Sequence, residues 1–171
     1  MTVISRPEGI APGQFRALMG AVPAPVTVVT ATTDDGTPHG TTVSAFCSVS
    51  LEPPLIAVML DRSSDLLKIV NATQAFGVNL LQEAQSDLAL SFARKGLNKF
   101  EGVAWSEDGG LPRLTDAMSW VACSVEHTIE AGDHIVVLGR VLNGDLRPAP
   151  PLIYHQQTFG THSGWQVAGG E

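Results

Sequence analysis

A chain of 171 residues that is 44% apolar can bury one well-packed core, which sets the expectation of a single domain. Its net charge of −7 argues against nonspecific nucleic-acid binding. Its 16% of charged residues falls below the ~25% usual for soluble domains and points to apolar surface covered by another subunit.

The first twelve residues carry Pro7, Gly9 and Pro12 and read as a loose arm. Phe15, Leu18, Met19 and Val22 then fall at i, i+3, i+4 and i+7, one face of a helix that Pro23 and Pro25 stop. Residues 26–32 are rich in β-branched side chains and predict a strand. Asp34-Asp35-Gly36 supplies a turn, and the chain returns through His39 to Ser50. A strand follows over 55–60. A helix starts at 61–64, with Leu66, Ile69 and Val70 on its inner face. Residues 75–81 predict a strand. Ala84, Leu88 and Phe92 place a helix over 82–93, with Arg94, Lys95 and Gly96 suited to its C-terminus. Residues 97–117, with Gly109-Gly110 and Pro112, read as a loop. Two long strands over 118–130 and 134–145 are joined by Ala131-Gly132-Asp133, and the second is apolar on both faces and so central. Pro148 to Pro151 leads stiffly into a last strand over 152–154.

This pattern of short strands with few helices predicts a mainly β fold. A closed or nearly closed β-barrel with inserted helices suits it, because closure removes exposed edges. The domain is expected over 13–160, between an arm at 1–12 and a tail at 161–171. Cys47 and Cys123, in apolar surroundings and outside any Cys-x-x-Cys pair, read as small buried residues. With no basic segment before an apolar one at the N-terminus and no apolar run of ~20 residues, the expectation is a cytoplasmic protein that does not span a membrane.

No Gly-x-Gly-x-x-Gly or Gly-x-x-x-x-Gly-Lys-[Ser/Thr] occurs, so a nucleotide would not be held by a Rossmann turn or P-loop. His39, His127, His155 and His162 are dispersed, without metal-ligand spacing, and no metal is expected. Ser163 is not in a Gly-x-Ser-x-Gly elbow. In residues 41–50, Thr41, Thr42, Ser44, Ser48 and Ser50 alternate with apolar residues. The run suits either a surface strand or the wall of a planar, polar-edged ligand. Arg94, Lys95 and Lys99 concentrate positive charge within six positions, as helix-terminal charge or as a phosphate site. Gly132-Asp133-His134 opens a strand with a histidine, either a turn residue bonded to Asp133 or a polar contact at a barrel mouth. Tyr154 and Phe159 are aromatic side chains that pack or stack.

Several segments, in order, resemble the short-chain flavin reductases, the reductase components of two-component flavin monooxygenases within the FMN-binding split-barrel superfamily. They are Pro25-Val26-x-Val28-Val29-Thr30, Gly40-Thr41-Thr42-Val43-Ser44-Ala45-Phe46-x-Ser48-Val49-Ser50, Phe76-Gly77-Val78-Asn79-Leu80-Leu81, Ser91-Phe92-Ala93, Asn98-Lys99-Phe100-x-Gly102-Val103-x-Trp105, Gly132-Asp133-His134 and Pro151-Leu152-Ile153-Tyr154. The sequence departs from the family after Tyr154, where His155-Gln156-Gln157-Thr158 precede Phe159.

The resemblance implies a split β-barrel, Greek-key-like with a few peripheral helices, and a homodimer of such barrels that reduces free FMN or FAD with NADH or NADPH and supplies reduced flavin to a partner monooxygenase. It implies flavin contacts from Thr41, Thr42, Val43, Ser44, Ser48, Val49 and Ser50, from Asn79, Leu80 and Leu81, and from Phe92, Ala93, Arg94, Lys99 and Tyr154. His134 would stand at the nicotinamide face. The competing readings are a split-barrel oxidoreductase with tightly bound flavin and another acceptor, and a non-enzymatic flavin-binding dimer.

Overall fold

The β-branched run beginning at Val26 becomes strand β2 (Thr27–Thr32), buried from Thr27 to Ala31 because other elements cover both of its faces. β2 lies within a computed structural model that describes residues 9–96 and 98–162. Before β2 come α1 (Pro12–Gly20) and β1 (Ala24–Pro25). After it come β3 (Pro38–Val43), β4 (Phe46–Ser50), β5 (Leu55–Asp61), α2 (Asp65–Thr73), β6 (Ala75–Leu80), a 3-10 turn (Glu83–Gln85) and α3 (Ser86–Ala93). The chain continues through β7 (Trp105–Asp108), β8 (Leu111–Leu114), β9 (Ser119–Ala131), β10 (His134–Leu146), β11 (Ile153–His155) and β12 (Thr158–Gly160).

Seven strands form an antiparallel sheet in the order β3-β2-β6-β9-β10-β5-β4. Its outermost strands, β3 and β4, are consecutive in the chain, with Ser44 and Ala45 alone between them. Three Cα steps of 3.8 Å span at most ~11 Å, so the two edges must meet and the sheet must roll up. The Met59 N–H donates to the Ala45 carbonyl at 3.0 Å, which continues the β4–β5 pairing into this link. The fold is therefore mainly β, a barrel with few helices, as the spacing of short strands predicts.

The barrel interior is apolar, with Val29, Val58, Phe76, Val78 and Val137 all 0% exposed. Leu66, Leu67 and Val70 of α2 pack onto it, so Leu67 joins the predicted inner face while Ile69 is only partly buried. A second cluster on the outer face joins Val28, Leu81, Ala89, Phe92, Leu114 and Leu152.

Several expectations change. Residues 97–117 are not simply a loop, because β7 and β8 make a hairpin there. Gly109 and Gly110, at φ +60° and +82°, are the two central residues that a type I′ turn requires. β12 pairs with β11 and extends the predicted last strand into a small sheet with β1. The predicted helix over 82–93 divides into the 3-10 turn and α3, where Gln82 and Gln85 cap one another. Cys47 is exposed on the edge strand β4, whereas Cys123 is buried, and burial pushes its thiol up to about 12. The predicted arm and tail fall largely on residues 1–8 and 163–171, outside the described residues, and Pro12 already opens α1.

Gly77 and Gly139 are positions where a side chain has no room. A Cβ on Gly77 would lie 2.1 Å from Cη2 of the buried Trp120, and one on Gly139 would lie 2.4 Å from Cζ of Phe76. Gly77→Ala is expected to cost about 1–3 kcal/mol or more by overpacking. Gly13→Ala in α1, where nothing lies within 4 Å, should be neutral or stabilising by about 1 kcal/mol. Urea denaturation midpoints of the two variants check this; equal midpoints would refute it.

Candidate functional site

A cleft of about 1210 Å³ lies along the seam where the sheet closes. One wall is β3 and the Ser44–Ala45 link. A second is the end of β5 with the start of α2, and a third is the segment from Ala93 to Glu101. This volume exceeds that of most single-ligand pockets, which run to ~1,000 Å³.

The structure brings Thr41, Thr42, Val43, Ser44, Ala93, Arg94, Lys99 and His134 to this cleft. Side chains alternate along β3, so Val43 is buried against the core while the half-buried Thr42 turns its hydroxyl outward, donating to the Ala89 carbonyl of α3 at 2.6 Å.

Arg94 is exposed just past α3 and makes no side-chain hydrogen bond or ion pair among the described residues. Lys95, also exposed, stands beside it on the cleft. Lys99 differs. Its Nζ donates to the Phe92 carbonyl at 2.9 Å and to the Gly40 carbonyl at 3.1 Å, and burial pushes its pKa below the usual lysine value.

His134 sits where β10 begins, after a two-residue turn in which Gly132 takes φ +66°. Its Nδ1 lies 2.8 Å from Oδ1 of Asp133. That contact is the main cause holding the Asp133 carboxyl below its ordinary value. A carboxylate only accepts, so Nδ1 carries a proton in this contact and Nε2 is left for a second partner. The turn contact and the cleft position therefore coexist, because one ring nitrogen serves each.

The other predicted residues stand outside the cleft in the single chain. Ser48, Val49 and Ser50 lie on β4, whose outer side is open. Asn79 is 0% exposed and belongs to a buried network. Its Nδ2 donates to the Val28 carbonyl at 3.2 Å and its Oδ1 accepts from the Leu114 N–H at 2.7 Å. Thr30 Oγ1 donates to the Pro112 carbonyl at 2.7 Å, so this network holds the β7–β8 hairpin on the sheet. Leu80 and Leu81 border a separate apolar cavity of about 250 Å³ with Pro25 and Leu152. Phe92 is fully buried in the outer cluster, and Tyr154 packs with Phe159 at a ring-centre distance of 5.2 Å on the small sheet.

Sequence reasoning missed Asp61, Asp65 and Phe100, which also line the cleft. Asp61 accepts from Ser63 Oγ and N, both at 2.6 Å, and these bonds keep its carboxyl ionised below the usual range. The sequence signal at Asp61 to Ser64 was that of a helix start, which describes the same residues without their second environment. Phe100 meets Phe92 edge-on at 5.0 Å and Trp105 at 5.5 Å, so the β7–β8 hairpin supports one wall of the cleft. Among the described residues no cluster of His, Cys, Asp and Glu could hold a metal ion.

Chemically the cleft offers an arginine able to fork onto a phosphate, small residues that expose backbone polar groups, and an imidazole.

The family described as flavin reductase like domain matches residues 19–163. A flavin reductase (NADH) of Kitasatospora aureofaciens is 37% identical over 166 residues, covering 91% of this chain and 87% of that one. The reductase subunit HsaB of a flavin-dependent monooxygenase from Rhodococcus jostii is 34% identical over 154 residues, covering 89% and 78%. The structure of a Streptomyces globisporus NADH:FAD oxidoreductase, SgcE6, in complex with NAD and FAD fragments superposes with a TM-score of 0.84. It is 29% identical and covers 92% of this chain and 98% of that one.

Asn79→Ala would strand the buried Leu114 N–H and loosen the hairpin. The expected cost is about 1–3 kcal/mol, read as a lower urea midpoint. An unchanged midpoint would show that the network contributes nothing.

Proposed function

Because the chain belongs to the flavin reductase like domain family, we propose that it is an NAD(P)H:flavin oxidoreductase that reduces free FMN or FAD and hands the product to a partner flavin-dependent monooxygenase. The observation that carries this reading is the seam cleft itself. Its roughly 1210 Å³ join a cationic rim at Arg94 and Lys95 to a histidine, with small residues between them. A flavin phosphate fits the first, and the polar edge of a ring fits the second.

When both ligands are bound, the nicotinamide supplies a hydride to flavin N5, and that chemistry belongs to the cofactors. The chain's part is positional. Arg94 and Lys95 neutralise the phosphate. Thr41, Ser44 and Ala45 leave room for a ring to lie against backbone. His134 offers Nε2 as an acceptor, with its orientation held through Nδ1 by Asp133. Aligning donor and acceptor at near-attack distance lowers the barrier without requiring an acid–base dyad.

A homodimer follows from an apolar surface that the single chain leaves uncovered. α1 buries no residue of its own, and Phe15, Leu18, Met19 and Val22 are each about half exposed. That is the predicted helical face, awaiting a second copy to cover it. A cytoplasmic location is supported by the unpaired Cys47 and Cys123, which suit a reducing compartment. No helix among the described residues is long and apolar enough to cross a membrane.

Anaerobic assays with NADH and NADPH against FMN, FAD and riboflavin test the function. Saturable dependence on added flavin is expected, and nicotinamide oxidation that ignores added flavin would sink the reading. Light scattering should return about 36 kDa, twice the 18.0 kDa of one chain. A mass of one chain at micromolar concentration would remove the dimer. His134→Ala should slow anaerobic flavin reduction by about tenfold, about 1.4 kcal/mol, while flavin affinity stays within about twofold. An unchanged rate would leave His134 as a turn residue alone.

A further inference from the structure

Lys99 differs from the other cations at the cleft. Arg94 and Lys95 are exposed, whereas the Lys99 ammonium is turned inward onto two backbone carbonyls. One of them, Phe92 O, belongs to the last turn of α3, where carbonyls lack partners within the helix. The other, Gly40 O, belongs to β3. A single side chain therefore ties the C-terminus of α3 to the strand that forms one wall of the cleft.

Neighbouring residues make the same joint. Thr42 of β3 donates Oγ1 to the Ala89 carbonyl of α3 at 2.6 Å. Gly40 must lack a side chain, because a Cβ there would lie 2.8 Å from Cε1 of Phe92. Phe100, next after Lys99, meets Phe92 edge-on and lines the cleft. Arg94 leaves α3 between these contacts, so its starting point is set by them.

We propose that Lys99 is a positioning residue that, with Thr42, latches the α3 C-terminus and the segment from Arg94 to Glu101 onto β3, leaving recognition of the flavin phosphate to Arg94. This rests on the reading of the cleft as the flavin site. Two of the three ammonium donors are engaged by carbonyls, and turning them to a phosphate would leave part-buried oxygens unpaired. Desolvation of the ammonium agrees with an inward-facing role.

FMN and riboflavin share a ring and differ in the phosphate, so their affinities separate the two roles. Dissociation constants for both would be measured by flavin fluorescence quenching, well below each variant's thermal midpoint. The proteins are wild type, Lys99→Met, Thr42→Val and Arg94→Ala. Lys99→Met is expected to weaken both ligands alike, by about fivefold or more, with the FMN-to-riboflavin ratio within about twofold of wild type. Arg94→Ala is expected to weaken FMN at least about tenfold more than riboflavin. A Lys99→Met protein that loses FMN about tenfold more than riboflavin overturns the proposal. So does one that keeps both affinities, since a tie that only stabilises the fold would lower the thermal midpoint and leave affinity intact. If Lys99→Met does not fold, Thr42→Val decides: equal weakening of both ligands supports the latch, and selective or absent weakening overturns it. Wild-type protein that binds neither flavin overturns the functional reading itself, and the proposal with it.

Discussion

Two residues, Ser44 and Ala45, carry the chain from one edge of a seven-stranded sheet to the other. So short a link is incompatible with an open sheet, because the outer strands would stand several 4.8 Å spacings apart. Everything else follows from this forced closure. The interior becomes a space that only apolar side chains can fill, and β-branched residues of β2, β5 and β6 fill it. The seam interrupts the wall, and the cleft opens there. Fold and site thus share one cause.

Closure also explains why glycine and large aromatics are paired across the sheet. Phe76 and Trp120 are fully buried and occupy volume left where another strand lacks a side chain, Gly139 two strands away for Phe76 and Gly77 on the adjacent strand for Trp120. On the outer face the polar requirement is met differently. Thr30 and Asn79 are buried, yet each is paired with backbone of the β8 strand, whereas Trp120 Nε1 beside them is buried with no hydrogen-bond partner among the described residues. The hairpin they hold reaches the cleft through Trp105 and Phe100, and a mechanical line runs from the buried network to the functional wall.

The cleft divides its charge. Arg94 and Lys95 stand beyond α3, while Asp61 and Asp65 stand at the start of α2. His134 lies in the same cleft with its tautomer chosen by Asp133. For a reaction whose chemistry resides in two cofactors, this is sufficient equipment: orientation, charge and a polar contact.

Local chemistry alone determined much of this. The β-branched stretch at 26–32, the Gly132-Asp133 turn between two long strands, the Asp65–Thr73 helix and the basic residues after α3 were all legible. Each depends on neighbours in sequence, through steric preference, turn geometry or helical period. The grouping of site residues was legible only in part. The run from Thr41 to Ser50 looks continuous in sequence, but the Ser44–Ala45 link sends its halves to opposite edges, and only the first half lines the cleft. Asn79 and Lys99 read as polar residues available to a ligand. Packing instead gave Asn79 the hairpin's backbone and Lys99 the carbonyls of Phe92 and Gly40, partners 33 or more residues away in all but one case. Period and propensity carry no information about which distant carbonyl a side chain will meet. That was settled when the sheet closed, because closure alone decides which strand lies beside α3 and which polar groups lose their water.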